Sequence, residues 1–209
     1  MATIRRLTDS CVLVTTDANA TLFDPGFHTF ESDELDKSDI PDVTRVLITH
    51  AHADHVSPPF VRWLVDRRAD LQVFANSEVA DLLRSYDVDV DTGAPGDVGI
   101  EDVLHGRIPN GAQPPNRSFT IEGLFTHPGD SREPKSSGPV LACPLIVPWD
   151  SARGAVEFAT RLAPRQVVPI HDFYLTPGGR EWIRGMVGTT LKDEGIELVD
   201  LDWGDEYTV

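Results

Sequence analysis

The sequence predicts an α/β protein, one layered sandwich in which helices cover β-sheets. Three observations lead there. Hairpin-type strand pairs are written near the start and again around residues 118–127; strands alternate with helical patterns over residues 43–90 and 140–202. The third is size: 209 residues, 40% hydrophobic and 25% charged, are enough to bury one continuous core without a second domain. Sheets joined by both hairpin and crossover connections, with helices over them, make a layered arrangement.

The elements follow in order. "SCVLVTTDANATLFDPGF" reads as an apolar strand, a polar turn at Asp17-Ala18-Asn19 and a second strand, Thr21 to Phe23, stopped by Asp24-Pro25-Gly26. Residues 31–39, with five acids and one lysine, read as a solvated loop. "VTRVLITH", Val43 to His50, is β-branched and continuously apolar at its centre, as a strand covered on both faces would be. Ser57 is positioned to cap a helix with two prolines in its first turn and Phe60, Val61, Leu64 and Val65 at helical spacing. A strand "LQVFA", a helix opened by the box Ser77 to Asp81, and a strand "DVDV" near 87–90 come next. Two strand-like runs joined at Glu122-Gly123 follow a loop from Gly106 to Arg117. "GPVLACPLIVPW" is a buried strand, and "SARGAVEFATRLAP" is a helix with Ala155, Phe158, Ala159 and Leu162 on one face. "RQVVPIH" is a strand ending in His171, followed by a helix from about Gly179 to Glu194 and a strand near Glu197 to Asp202.

Composition removes several classes of function. A formal net charge of −16 repels a phosphate backbone, and the pairs Arg5-Arg6 and Arg67-Arg68 are too short to reverse that field, so no nucleic-acid partner is expected. No apolar run approaches the roughly 18 residues of a membrane span, and the N-terminal apolar run Cys11 to Val14 is too short for a secretory signal. The expectation is a cytoplasmic protein without a membrane partner. Cys11 and Cys143, far apart and outside any CxxC pair, read as buried free thiols. A small-molecule substrate is the expected partner, with homo-oligomerisation an open expectation.

The chemistry is concentrated in "ITHAHADHV". His50 and His52 fall on one side of an extended chain because side chains alternate with period two, so both can reach one ion. Asp54 and His55 stand where the chain turns toward the helix, placed for a second ion. Imidazole and carboxylate are borderline to hard donors that suit zinc, iron or manganese. The competing reading is a solvated turn. Further donors stand at the same kind of place, the ends of apolar strands: His105 after "EDVL", Asp130 in "LFTHPGDS" and His171 in "VVPIHD".

"ITHAHADHVS", "FTHPGDS" and "VVPIHDF", in that order and with "TLFDPGF" before them, resemble the metallo-β-lactamase superfamily, whose HxHxDH signature is followed by an isolated histidine, a Gly-Asp and a final histidine. Within it the chain looks most like the small hydrolases that include ascorbate-6-phosphate lactonase. The resemblance implies a four-layer αββα sandwich with two mixed β-sheets and two divalent ions, zinc first, with Mn2+ or Fe2+ as alternatives. Carried over by motif, His50, His52 and His105 would hold one ion, Asp54, His55 and His171 the other, and Asp130 both. His127, three residues before Asp130, competes with His105 for the isolated position. His105 is preferred because it lies upstream of the hairpin that ends at Asp130. His127, His28, Arg107 and Arg117 are then expected behind the ligands or facing substrate, the arginines as anion-binding groups on the 106–117 loop.

The implied activity is a dinuclear metal-dependent hydrolase. A hydroxide shared by two ions attacks a small ester, lactone or phosphoester, and Asp54 orients the water or carries its proton. Ser131, lacking a GxSxG setting, reads as a turn hydroxyl rather than a nucleophile. Rival hydrolytic and redox members of the superfamily fit less well: a secreted β-lactamase needs export, a nuclease a basic arm, a flavodiiron reductase a flavin domain. The alternative from another class is a catalytically silent metal-binding or regulatory module of the same fold.

Overall fold

A computed structural model describes all residues, 1–209, and the chain divides into one unit of residues 1–94 with 201–209 and another of residues 95–200. The first unit begins with strands β1 (Thr3–Arg6), β2 (Val12–Thr15) and β3 (Ala20–Phe23) and the short helix α1 (Phe27–Glu31). It continues through β4 (Arg45–Ile48), helix α2 (Pro58–Arg67), β5 (Gln72–Ala75) and helix α3 (Ser77–Arg84). The second holds β6 (Val98–Leu104), β7 (Pro115–Ile121), β8 (Phe125–His127), β9 (Val140–Pro144), helix α4 (Ala152–Leu162), β10 (Gln166–Ile170), helix α5 (Pro177–Asp193) and β11 (Glu197–Leu198). The chain then returns to the first unit as β12 (Glu206–Thr208).

Each unit is built on one six-stranded mixed sheet, in the orders β12-β1-β2-β3-β4-β5 and β11-β10-β9-β8-β7-β6. In the first, β12 through β3 pair antiparallel while β3, β4 and β5 run parallel. In the second, β6, β7 and β8 pair antiparallel while β8 through β11 run parallel. Hairpins make the antiparallel pairs other than β12–β1, and helical crossovers make most of the parallel connections, which is the mixture expected of this α/β sequence. All four residues of β4 are buried. Its Val46 and Ile48 pack with Phe60, Val61 and Leu64 of α2 and with Val79 and Leu83 of α3. In the second unit Leu141, Cys143 and Val167 pack with Phe158 of α4 and Val187 and Leu191 of α5. Both cysteines are buried free thiols, and burial raises the pKa of each. No helix is long and apolar enough to cross a membrane.

Several elements differ from the sequence reading. "DVDV" is not a strand: only Val88 is buried there, and the sheet gains a single bridge, Phe74 to Asp91. Three strands rather than two lie between Val98 and His127, and Arg117 belongs to β7 instead of the preceding loop. Part of the acidic stretch expected as loop is ordered, with Glu31 closing α1 and a 3-10 turn at Lys37–Asp39. The cap of α3 is Asn76, one residue before the expected Ser77: its Oδ1 accepts the Val79 N–H at 3.0 Å, and its Nδ2 donates to Thr49 O at 3.3 Å. Asn76→Ala should therefore cost about 1–2 kcal/mol in urea denaturation, whereas Ser77→Ala should stay within about 0.5 kcal/mol. The reverse order would reassign the cap.

Candidate metal centre

In the first unit the histidine cluster leaves the C-terminal end of β4. Thr49 and His50 prolong the strand direction, and the chain then folds into a turn in which the N–H groups of His55 and Val56 both donate to His52 O at 2.9 Å. Asp24, at the end of the neighbouring β3, sits under this turn with φ of 44° and no exposed surface. Its Oδ1 accepts from Thr49 N at 2.7 Å, and its Oδ2 accepts from Thr49 Oγ1 at 2.7 Å and from His55 Nδ1 at 2.6 Å. A carboxylate oxygen can only accept, so the proton of the His55 ring resides on Nδ1 and Nε2 presents a lone pair. The Thr49 hydroxyl gives its proton to Asp24, so its oxygen accepts from His50 Nδ1 at 3.0 Å, and His50 also presents Nε2. One buried carboxylate thus sets the tautomer of two ligand candidates, the arrangement that orients histidines toward a metal. His50 Nε2 lies 3.1 Å from His52 Nδ1, and His55 Nε2 lies 3.9 Å from Asp54 Oδ2. The Asp54 side chain is 24% exposed, so its carboxylate is open to water while His50 and His55 are buried.

In the second unit His105, just past β6, directs Nδ1 to Gly106 O at 2.5 Å, and His171, just past β10, directs Nδ1 to Ile146 O at 3.1 Å. Carbonyls accept, so both rings donate through Nδ1 and present Nε2. Both Nε2 atoms face Asp130 Oδ2, at 3.3 Å from His105 and 3.2 Å from His171. The Asp130 loop is braced on several sides: Gly106 N donates to Asp130 O at 2.7 Å, Asn116 Oδ1 accepts Asp130 N at 3.0 Å, and Asn116 Nδ2 donates to Pro128 O at 2.8 Å. Trp149 Nε1 donates to Asp130 Oδ2 at 3.1 Å. A Cβ on Gly106 would stand 2.0 Å from the Trp149 ring, so glycine is what lets the indole approach.

These donor sets fit a divalent ion. Two imidazole lone pairs facing one carboxylate oxygen repel unless a cation, or an added proton, lies among them. Two donors each about 2.0–2.1 Å from a tetrahedral ion stand about 3.3 Å apart, close to the 3.1, 3.3 and 3.2 Å found within the two units. All seven residues, His50, His52, Asp54, His55, His105, Asp130 and His171, belong to side-chain groups that could hold an ion.

The remaining sequence candidates are placed elsewhere or tied to other partners. His127 is buried in β8, where its Nδ1 accepts the Gly129 N–H at 3.2 Å and so braces the turn before Asp130. His28 is buried in α1, with Nε2 3.9 Å from Asp9 Oδ2. Arg107 closes its own loop on Gly111 O at 3.0 Å and Gln113 Oε1 at 2.7 Å. Arg117, in β7, holds Asp102 at 2.7 Å across the β6–β7 pair. Ser131 Oγ accepts Glu133 N at 3.1 Å, as a turn hydroxyl does. Sequence reasoning did not single out Asp24 or Thr49; Asn116, expected on the wall of a pocket as part of the 106–117 loop, braces the Asp130 loop instead, as Trp149 does. Asp24 carried a signal, an acid ending an apolar strand before Pro-Gly; Thr49 became visible only through its hydrogen bonds.

Residues 5–57 match the family model described as the Metallo-beta-lactamase superfamily, the segment that carries Asp24 and the HxHxDH cluster. The chain is similar to protein Rv0786c of Mycobacterium tuberculosis, 29% identical over 190 residues, 82% of this chain and 84% of that one. Among solved structures it resembles the metallo-beta-lactamase fold protein YhfI of Bacillus subtilis, with TM-score 0.67, 13% identity and coverage of 99% and 98% of the two chains. It also resembles Igni18, a metallo hydrolase of Ignicoccus hospitalis, with TM-score 0.71, 18% identity and coverage of 99% and 97%. The fold is thus that of metallo-beta-lactamase fold proteins, and the segment bearing the histidine cluster is similar to the Metallo-beta-lactamase superfamily.

Proposed function

We propose that this protein is a dinuclear metal-dependent hydrolase of small carbonyl or phosphoryl substrates. His50, His52 and His105 would hold one divalent ion, Asp54, His55 and His171 the other, and Asp130 both. The observation that carries the reading is the direction of the ring protons: His50, His55, His105 and His171 each direct Nδ1 to an oxygen acceptor, and so offer Nε2 as donor. Five imidazoles and two carboxylates form a nitrogen-rich set that suits zinc ahead of manganese.

When bound, the ions would supply Lewis acidity and lower the pKa of a bound water from its bulk value toward about 7. The protein supplies the rest. Asp54, the partly exposed carboxylate of the set, is the group able to accept a proton from that water and pass it on. Trp149, by donating to Asp130 Oδ2, fixes the orientation of the shared carboxylate. Asp24 keeps two ligand rings from rotating.

Both loop arginines nominated for an anionic substrate already have partners, Arg107 within its loop and Arg117 on Asp102. The reading therefore favours an uncharged ester or lactone over a phosphoester. Freshly purified protein should carry close to two metal equivalents per chain, falling in His55→Ala and in Asp130→Ala. A panel of esters, lactones and phosphoesters with added zinc or manganese should show turnover that His50→Ala abolishes. Two bound equivalents with no turnover on any class would instead identify a silent metal-binding module, and one or none would remove the two-ion centre.

A further inference from the structure

The geometry points to Arg184 as a positioning residue for the metal ligand His171, acting through Asp172; the inference rests on the metal-centre reading above. His171 adopts φ of 61°, the left-handed region, although it is not glycine. For a residue with a Cβ that conformation costs roughly 1–2 kcal/mol and persists only where its surroundings over-determine it. The residue before it is fixed: Ile170 ends β10 in register with Pro144, and its carbonyl accepts Leu145 N at 3.1 Å. The ring itself is fixed by Ile146 O. What remains is the backbone after the ligand, and there the chain places Asp172.

Asp172 is buried, and its Oδ2 accepts from Arg184 Nη2 at 2.9 Å, with the two side chains 3% and 4% exposed. The other arm of the guanidinium, Nη1, donates to Asp200 Oδ1 at 2.9 Å, a carboxylate 59% exposed. Arg184 lies on the buried face of α5 with Val187 and Leu191, so the helix, a rigid element of seventeen residues, carries the clamp. Asp172 O also accepts Leu175 N at 3.1 Å, closing the turn that follows.

A buried ion pair is a poor device for stability alone, because apolar side chains of similar volume do as well or better. It does hold two groups at one separation and one orientation, and the planar guanidinium does so with two fixed arms. Placed one residue after a strained ligand, that property keeps the His171 backbone, and so its Nε2, aimed at Asp130. After His105 the next residue is held by its backbone instead, Gly106 donating its N–H to Asp130 O at 2.7 Å while its carbonyl accepts from the ring. In sequence, Arg184 looks like one more helix cation.

The test compares the wild type, His171→Ala, Arg184→Lys, Asp200→Asn and the apolar pair Asp172→Leu with Arg184→Met, using zinc alone in competition with a chelator, beside thermal melts. The wild type should bind two equivalents and His171→Ala one; if the wild type fails this, the metal-centre reading falls, and the inference with it. Given that result, Arg184→Lys should melt within a few degrees of wild type but hold the weaker equivalent about 10–100-fold less tightly. The apolar pair should regain stability without regaining that affinity, and Asp200→Asn should remain within about twofold. In metal-free protein, Arg184→Lys should also lose the slowly exchanging Nδ1–H resonance of His171. Wild-type zinc affinity in Arg184→Lys, with that resonance intact, would overturn the assignment whether or not the apolar pair folds.

Discussion

Asp24→Asn should destabilise the protein by about 3 kcal/mol and lower its metal affinity by about 10–100-fold, although Asp24 is not a proposed ligand. Three donors converge on this carboxylate within 2.7 Å, and none of the residue is exposed. An amide of the same shape has one oxygen to offer them. Its NH2 group would face the Thr49 N–H on one side, or the Thr49 hydroxyl and the His55 ring on the other, and a buried donor facing a donor loses the bond and gains repulsion. The tautomers of His50 and His55 would then no longer be imposed from one place. Chemical denaturation of metal-free protein, beside metal analysis of the same preparations, separates the two effects. A variant with wild-type stability and two bound equivalents would show that the histidines orient themselves.

That prediction also marks how far the sequence could be read. The proposed ligand residues were legible because donor-type side chains gather at the ends of apolar strands, and the β-branched apolar run before His50 does form β4, buried at all four positions. What holds those rings was not. Gly106 O and Ile146 O are backbone atoms, present at every residue and silent in a sequence. The same physics explains the fold. Helices α2 and α4 were legible from caps and spacing, which are local; β12 pairs with β1 across some two hundred residues, and "EYT" gives no local sign of that partner. "DVDV" shows the opposite error: alternation suggested a strand, but a single buried valine cannot anchor one against the sheet.

Gly26→Ala should have the other large effect, for reasons of space rather than conformation. Gly26 has φ of −77° and ψ of 170°, extended backbone that alanine adopts without strain. A Cβ there would nevertheless lie 1.7 Å from the carbonyl oxygen of Asp54 and 2.3 Å from its carbonyl carbon. The obstacle is backbone, which cannot swing aside as a side chain would. It is also pinned, because Phe27 N donates to Ala53 O at 2.9 Å and Ser57 N donates to Pro25 O at 2.8 Å, lacing the two segments together. Relief requires the whole turn from His52 to His55 to move away from the 24–27 segment by an ångström or more. The expected cost is about 3 kcal/mol, the upper end for inserting one carbon into a packed site. The displaced turn carries Asp54 and His55, so the ion they are proposed to hold should be lost before the one assigned to His50, His52 and His105. Zinc titration of the variant should therefore show the weaker equivalent missing and the other retained. Equal loss of both would mean that the turn and the strand end move as one body, and wild-type binding would mean that the two segments separate more freely than their hydrogen bonds imply.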